Sequence, residues 1–125
     1  MDITLTKEES EAFDFVLGGE IKCLVNEYDS STGRKPSKKR YKKYSVLTAL
    51  VDRWAKFQNK VVTAKGLELI LYPVKPCCIP VSDKEAKAVV PLFEDYIQEA
   101  QKYPHLCKDK EAAESVLEKL KLCDG

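Results

Sequence analysis

Two short segments constrain this chain more than any others: Thr6-Lys7-Glu8-Glu9 and Ser82-Asp83-Lys84-Glu85. In each, a hydroxyl residue is followed three positions on by glutamate. The hydroxyl can accept the glutamate's backbone N–H while the carboxylate reaches back to the N–H of the hydroxyl residue, so a helix is expected to begin at each box. Behind the first box, Phe13, Leu17, Ile21, Leu24 and Tyr28 recur at helical spacing and form one apolar stripe. Gly18 and Gly19 interrupt it, and because glycine disfavours a helix interior they predict a kink there in preference to a close backbone approach. Behind the second box, Ala86, Val89, Val90, Phe93, Ile97 and Ala100 trace the most amphipathic stripe of the chain. Pro91 lies inside it and predicts a kink near Lys87, since proline removes a donor and crowds the preceding turn.

Two further helices follow from periodicity. One starts between Ser37 and Ser45 and runs to about Asn59, with Leu47, Leu50, Val51, Trp54, Gln58 and Val61 on one face. The other runs from Asp109 to about Leu122 and presents Ala113, Val116, Leu117 and Leu120, packing as a lid. Residues 29–37 combine turn formers with Gly33 and Pro36 and read as a loop. Residues 61–74 admit two readings: a hairpin turning at Ala64, Lys65 and Gly66, or a short helix capped by Thr63, and the helix is preferred. Pro73, Pro76 and Pro80 exclude regular helix from the connection that carries Cys77 and Cys78. Leu5-Thr6, Val62-Thr63 and Val81-Ser82 repeat an apolar–hydroxyl pair. Without a further matching pattern this reads as one cap chemistry used three times, not as an internal repeat.

The expectation is a mainly α (all-α) fold, a compact bundle of four to five helices with room for one short β-hairpin near residues 61–74. A chain of 125 residues with 44% hydrophobic content is sized for one globular domain, residues 1–125, with a basic loop around residues 29–43. No apolar run approaches membrane-span length, and the acidic, helix-capping start lacks the features of a secretory signal. The five cysteines are odd in number and irregularly spaced, which points to free thiols in a reducing, cytoplasmic compartment.

Charge is divided sharply along the chain. Residues 1–29 hold eight acids against Lys7 and Lys22, whereas residues 30–65 hold eleven Lys or Arg against Asp52 alone. The densest part contains Arg34, Lys35, Lys38, Lys39, Arg40, Lys42 and Lys43, with Tyr41 and Tyr44 offering surfaces that can stack on bases. On a helix starting early, Lys42, Arg53, Lys56 and Lys60 extend this positive potential along one stripe. Nucleic acid or an acidic protein surface is therefore the expected partner, with self-association to a homo-oligomer also open. The competing reading is that these cations neutralise the acidic N-terminal helix.

Catalytic and metal signatures are weak. Cys77, Cys78, His105 and Cys107 are the one set able to offer four zinc ligands, but adjacent cysteines lack the usual gap, so no metal and no cofactor is expected. Cys107 and His105, two apart on one loop, lack the supporting acid of a nucleophilic pair. No phosphate loop, nucleophile elbow or dinucleotide turn occurs. Asp14, Glu94, Asp95 and Glu99 are assigned to outer faces, and Trp54, Phe13, Phe93 and Tyr96 to the core. The expected function is non-enzymatic binding of nucleic acid or of a nucleic-acid-handling complex through the basic middle. The alternatives are a small protein-interaction inhibitor of the kind phages and mobile elements encode, and a small-molecule-sequestering protein with a pocket at an oligomer interface.

Overall fold

A computed structural model describes residues 1–30, 38–103 and 109–123, with the side chains of residues 26–30 left aside. Arg34, Lys35, His105 and Cys107 lie outside the described residues. The fold is mainly helical: α1 (Lys7–Ser30), α2 (Lys38–Ala55), α3 (Asp83–Lys102) and α4 (Lys110–Cys123). Four short strands accompany them, β1 (Asp2–Leu5), β2 (Lys60–Val62), β3 (Glu68–Ile70) and β4 (Cys77–Pro80). Among the described residues no helix is long and apolar enough to cross a membrane.

Both capping boxes form. The Thr6 hydroxyl accepts from the Glu9 N–H at 3.2 Å, and Glu9 accepts from the Thr6 N–H at 3.1 Å. Ser82 and Glu85 make the same reciprocal pair at 3.2 and 2.9 Å. The apolar stripes behind them meet in one core, where Phe13, Leu17, Leu47, Leu50, Trp54, Val89, Phe93, Val116 and Leu120 are fully buried. Phe13 and Phe93 face each other across it, with ring centroids 6.5 Å apart.

Several expectations are corrected. α1 runs unbroken through Gly18 and Gly19. A Cβ added at Gly19 would meet nothing within 4 Å, so no close approach explains that pair. α2 ends at Ala55, short of Asn59, which places Val61 on a strand instead of the helical stripe. α4 is not a lid: Ala113, Val116, Leu120 and Cys123 are buried in the core and the helix packs on both α3 and α1. Residues 61–74 form the hairpin, not the preferred helix. β2 pairs antiparallel with β3, and the turn closes through Gly66 N–H to Thr63 O at 2.9 Å. Gly66 sits at φ 82°, a conformation open to glycine at no steric cost, so the chain reverses here where a helix would have to continue. Thr63 caps the turn instead of a helix, its hydroxyl accepting from the Leu67 N–H at 3.1 Å.

β1 and β4 were not anticipated. They pair antiparallel with Ile3 opposite Ile79, flanked by Asp2 opposite Pro80 and Thr4 opposite Cys78. This register exchanges with itself when Ile3 is equated with Ile79, and the equivalence continues outward. Leu5 matches Val81, Thr6 matches Ser82, Glu9 matches Glu85, Phe13 matches Val89 and Leu17 matches Phe93, each pair sharing its buried or capping role. In α2 and α4, Leu47 matches Ala113, Leu50 matches Val116 and Trp54 matches Leu120, all buried. The chain thus repeats the order strand-helix-helix in two β-α-α units, β1-α1-α2 and β4-α3-α4, with residues 56–76 between them. Leu5-Thr6 and Val81-Ser82 hold equivalent places at the two helix starts, each with the same cap chemistry. Val62-Thr63 lies in the insertion and does not take part.

Each unit supplies a cation that locks the other's helix start. Lys119 of α4 donates to Glu9 at 2.7 Å and to the Thr4 carbonyl at 2.6 Å. Arg53 of α2 donates to Glu85 at 2.6 Å and to the Pro80 carbonyl at 3.1 Å. Thr4 and Pro80 are equivalent positions, so this is one device built twice.

Candidate functional site

Two surfaces remain once the residues consumed by the fold are set aside. The first is the start of α2. Lys38, Lys39, Arg40, Tyr41 and Lys42 are all exposed, and no ion pair among the described residues holds Lys38, Lys39 or Lys42. The remaining helices place acids in their first turn, Glu8 and Glu9 in α1, Asp83 and Glu85 in α3, and Glu111 in α4, whereas α2 places none. Cations at the positive end of a helix dipole are electrostatically uncompensated and draw anions to that end.

The rest of the expected basic stripe is not assembled. Arg53 is spent on Glu85 and Lys60 lies on β2 within 3.5 Å of Glu68, while Lys43, of the dense segment and not of that stripe, is paired with Glu20 of α1 at 2.7 Å. Of that stripe only Lys42 and Lys56 face solvent without an ion pair among the described residues. The Lys43–Glu20 pair is a contact in which this segment neutralises α1 as the competing reading requires. Nothing in the sequence marks which cations have internal partners, because Arg53 and Glu85 lie far apart in the chain and only the fold joins them.

The second surface, missed in the sequence, is the β2–β3 hairpin. Val61, Val62, Leu67, Leu69 and Leu71 are 42 to 67% exposed. Its base is held firmly. The buried Gln58 side chain donates to the Lys75 carbonyl at 3.0 Å and accepts from the Lys75 N–H at 2.6 Å, while Ser10 donates to the same carbonyl at 3.0 Å.

The ionisable groups next to these surfaces are structural. Tyr72 donates to Asp14 Oδ2 at 2.6 Å, so Asp14 is not a free outer-face acid. Burial, that hydrogen bond and the charges of Asp14, Glu11 and Asp109 push the phenol up to about 12. A phenol raised in the fold contributes stability that is complete below its ordinary value of 10.0 and is lost as pH rises toward 12. Phenolate absorbance on alkaline titration is therefore expected to show a step at about pH 12, and Tyr72→Phe is expected to remove it. Tyr96 is half-buried against Phe15, rings 5.7 Å apart, at the margin of the core.

Metal and pocket chemistry find little support. Cys77 and Cys78 are neighbours on β4, so their side chains leave opposite faces, one half-buried and one exposed. Burial pushes the Cys77 thiol up, which disfavours the thiolate a metal or a nucleophile needs. Among the described residues no group of three or more His, Cys, Asp and Glu could hold a metal ion. A depression of about 360 Å³ between the starts of α1 and α4 is lined by Thr6, Glu8, Glu9, Asp109, Glu111, Ala112 and Ser115. Its acids repel phosphates, and Glu9 is already engaged by Lys119, Ser115 and Thr6. Glu94, Asp95 and Glu99 are exposed, as expected for outer faces.

No known protein family, curated protein or solved structure matches this chain.

Proposed function

We propose that this is a non-enzymatic binding protein, a helical bundle whose basic α2 start engages the phosphates of a nucleic acid. The observation that carries the reading is the exposed cluster of Lys38, Lys39, Arg40, Tyr41 and Lys42 at the positive end of a helix with no first-turn acid. Three lysines there have no internal ion pair among the described residues, so releasing counterions from a polyanion is their available gain. Tyr41, 63% exposed beside them, offers a flat ring to an unstacked base.

Binding to single- and double-stranded DNA and RNA across a salt series tests this. With three or four phosphates neutralised, log affinity against log salt is expected to fall with a slope near −3. Replacing Lys38, Lys39 and Lys42 together with glutamine is expected to weaken binding and flatten the slope while leaving the melting temperature unchanged or slightly raised, because repulsion at the helix start is relieved. Absence of binding at low salt rejects the proposal. A lowered melting temperature in the triple variant would show instead that these cations neutralise α1.

A further inference from the structure

The insertion between the two β-α-α units exposes apolar side chains on a hairpin. In an antiparallel pair, directly opposed residues share a face. Val61 opposes Leu69, Asn59 opposes Leu71 through the Leu71 N–H to Asn59 O bond of 2.8 Å, and Thr63 opposes Leu67 through a bond of 2.8 Å. One face therefore carries Val61, Leu67, Leu69 and Leu71. The other carries Lys60, Glu68, Val62 and Ile70, and Ile70 is the residue that leans on the core. That second face is itself open, with Val62 67% exposed and the Glu68 side chain 65% exposed, while on the first face Val61, Leu67, Leu69 and Leu71 are 42, 61, 51 and 44% exposed. A hairpin serving only to cover the core would bury its apolar side chains.

The charges at the two ends of the apolar face share one sign. Lys65 is exposed at the turn, and at the base Lys75 Nζ donates to the Asn59 side chain at 3.1 Å. Asn59, Val61, Thr63, Leu67, Leu69 and Leu71 include no acid, since Glu68 belongs to the opposite face with Lys60. Both strands also have an unpaired edge among the described residues, and all three residues of β2 are exposed.

We propose that this hairpin is a docking site for an extended segment of another protein, apolar at alternate positions and acidic at its ends, which lies along β2 and covers the Val61, Leu67, Leu69 and Leu71 face. Added as a strand, such a segment takes its hydrogen bonds from the free edge and its selectivity from the apolar face and the terminal lysines. Area favours this occupant over a second copy of the chain: a stable interface buries about 800 Å² per partner, and four half-exposed side chains supply roughly half of that. The firm clamp of Gln58 and Ser10 on Lys75 holds the hairpin ready, which lowers the ordering cost of binding. This site is separate from the α2 start and does not depend on nucleic-acid binding.

The experiment uses the full chain against arrayed peptides in which valine or leucine alternates with threonine, flanked by glutamate in one panel and by lysine in the other. Retention of the glutamate-flanked panel is expected. Val61→Thr with Leu69→Thr keeps β-formers at exposed positions and is expected to weaken retention about tenfold with an unchanged thermal melt. Lys65→Glu is expected to shift preference toward the lysine-flanked panel. No retention of either panel, equal retention of both by the parent, or retention unaffected by the threonine pair overturns the proposal. So does a dimer in sedimentation that dissociates in the threonine variant, because a second copy would then be the occupant.

Discussion

Trp54→Ala is expected to cost about 3–5 kcal/mol of folding stability, a large part of the roughly 5–15 kcal/mol available to a domain of this kind. Trp54 is wholly buried in the last turn of α2, and its position in the second unit is filled by Leu120, also wholly buried. Alanine there leaves a cavity in the core. Trp54→Phe is expected to behave differently. The indole Nε1 has no hydrogen-bond partner among the described residues, and an unpaired buried donor costs about 1–3 kcal/mol. Phenylalanine gives up some contact but removes that donor, so its net cost is expected within about 1 kcal/mol. Denaturant unfolding checks both, with a lower midpoint and unchanged slope for alanine and a near-parental midpoint for phenylalanine. A water-exposed indole in native fluorescence, or equal losses in the two variants, would contradict this reading.

What could be read from the sequence was what is local. The two capping boxes and the stripes of α3 and α4 depend on residues three or four apart, and each was found where its spacing placed it. Trp54 belonged to the core for the same reason. β1 and β4 escaped because each is four residues long, too short for alternation to stand out, and Pro80 argues locally against a strand that it ends. The choice in residues 61–74 turned on one dihedral, at Gly66, while the apolar run after it fits either period. The repeat was hidden because its two halves match in role and not in residue: Trp54 stands where Leu120 does, and Arg53 where Lys119 does.

The candidate sites were legible unevenly for a related reason. Composition located the basic segment, but which cations remain available depends on contacts between distant elements. Arg53, Lys43 and Lys60 left the proposed surface for partners on α3, α1 and β3. The exposed apolar face of the hairpin needed the register, which does not exist before the strands pair.

Glu9 and Glu85 carry the second large expected effect, and it depends on pH in a defined direction. The two carboxylates are buried, at 4 and 9% exposure. Burial alone would raise their pKa values. For Glu9 this is outweighed by hydrogen bonds from Lys119, the Thr6 N–H and Ser115 with the charge of Lys119, and for Glu85 by Arg53 and both groups of Ser82. Both therefore titrate below the ordinary glutamate value of 4.5. Unfolding releases them to that value, so their contribution is complete above it and is lost as pH falls below 4.5 through the lower folded pKa values. Glu9→Gln and Glu85→Gln are each expected to cost about 2–3 kcal/mol at neutral pH, since an amide cannot match the charge-assisted bonds and leaves Lys119 or Arg53 without its counter-charge. Because the two clamps share no partner, the double variant is expected to lose nearly the sum. In acid the parent protonates the same groups, so the gap between parent and double variant is expected to narrow steadily as pH falls. Unfolding free energies from neutral pH down into acid decide the matter. A gap that stays constant with pH would mean that the glutamates act through shape alone, and a double variant no worse than either single one would mean that the two helix starts are not independent clamps.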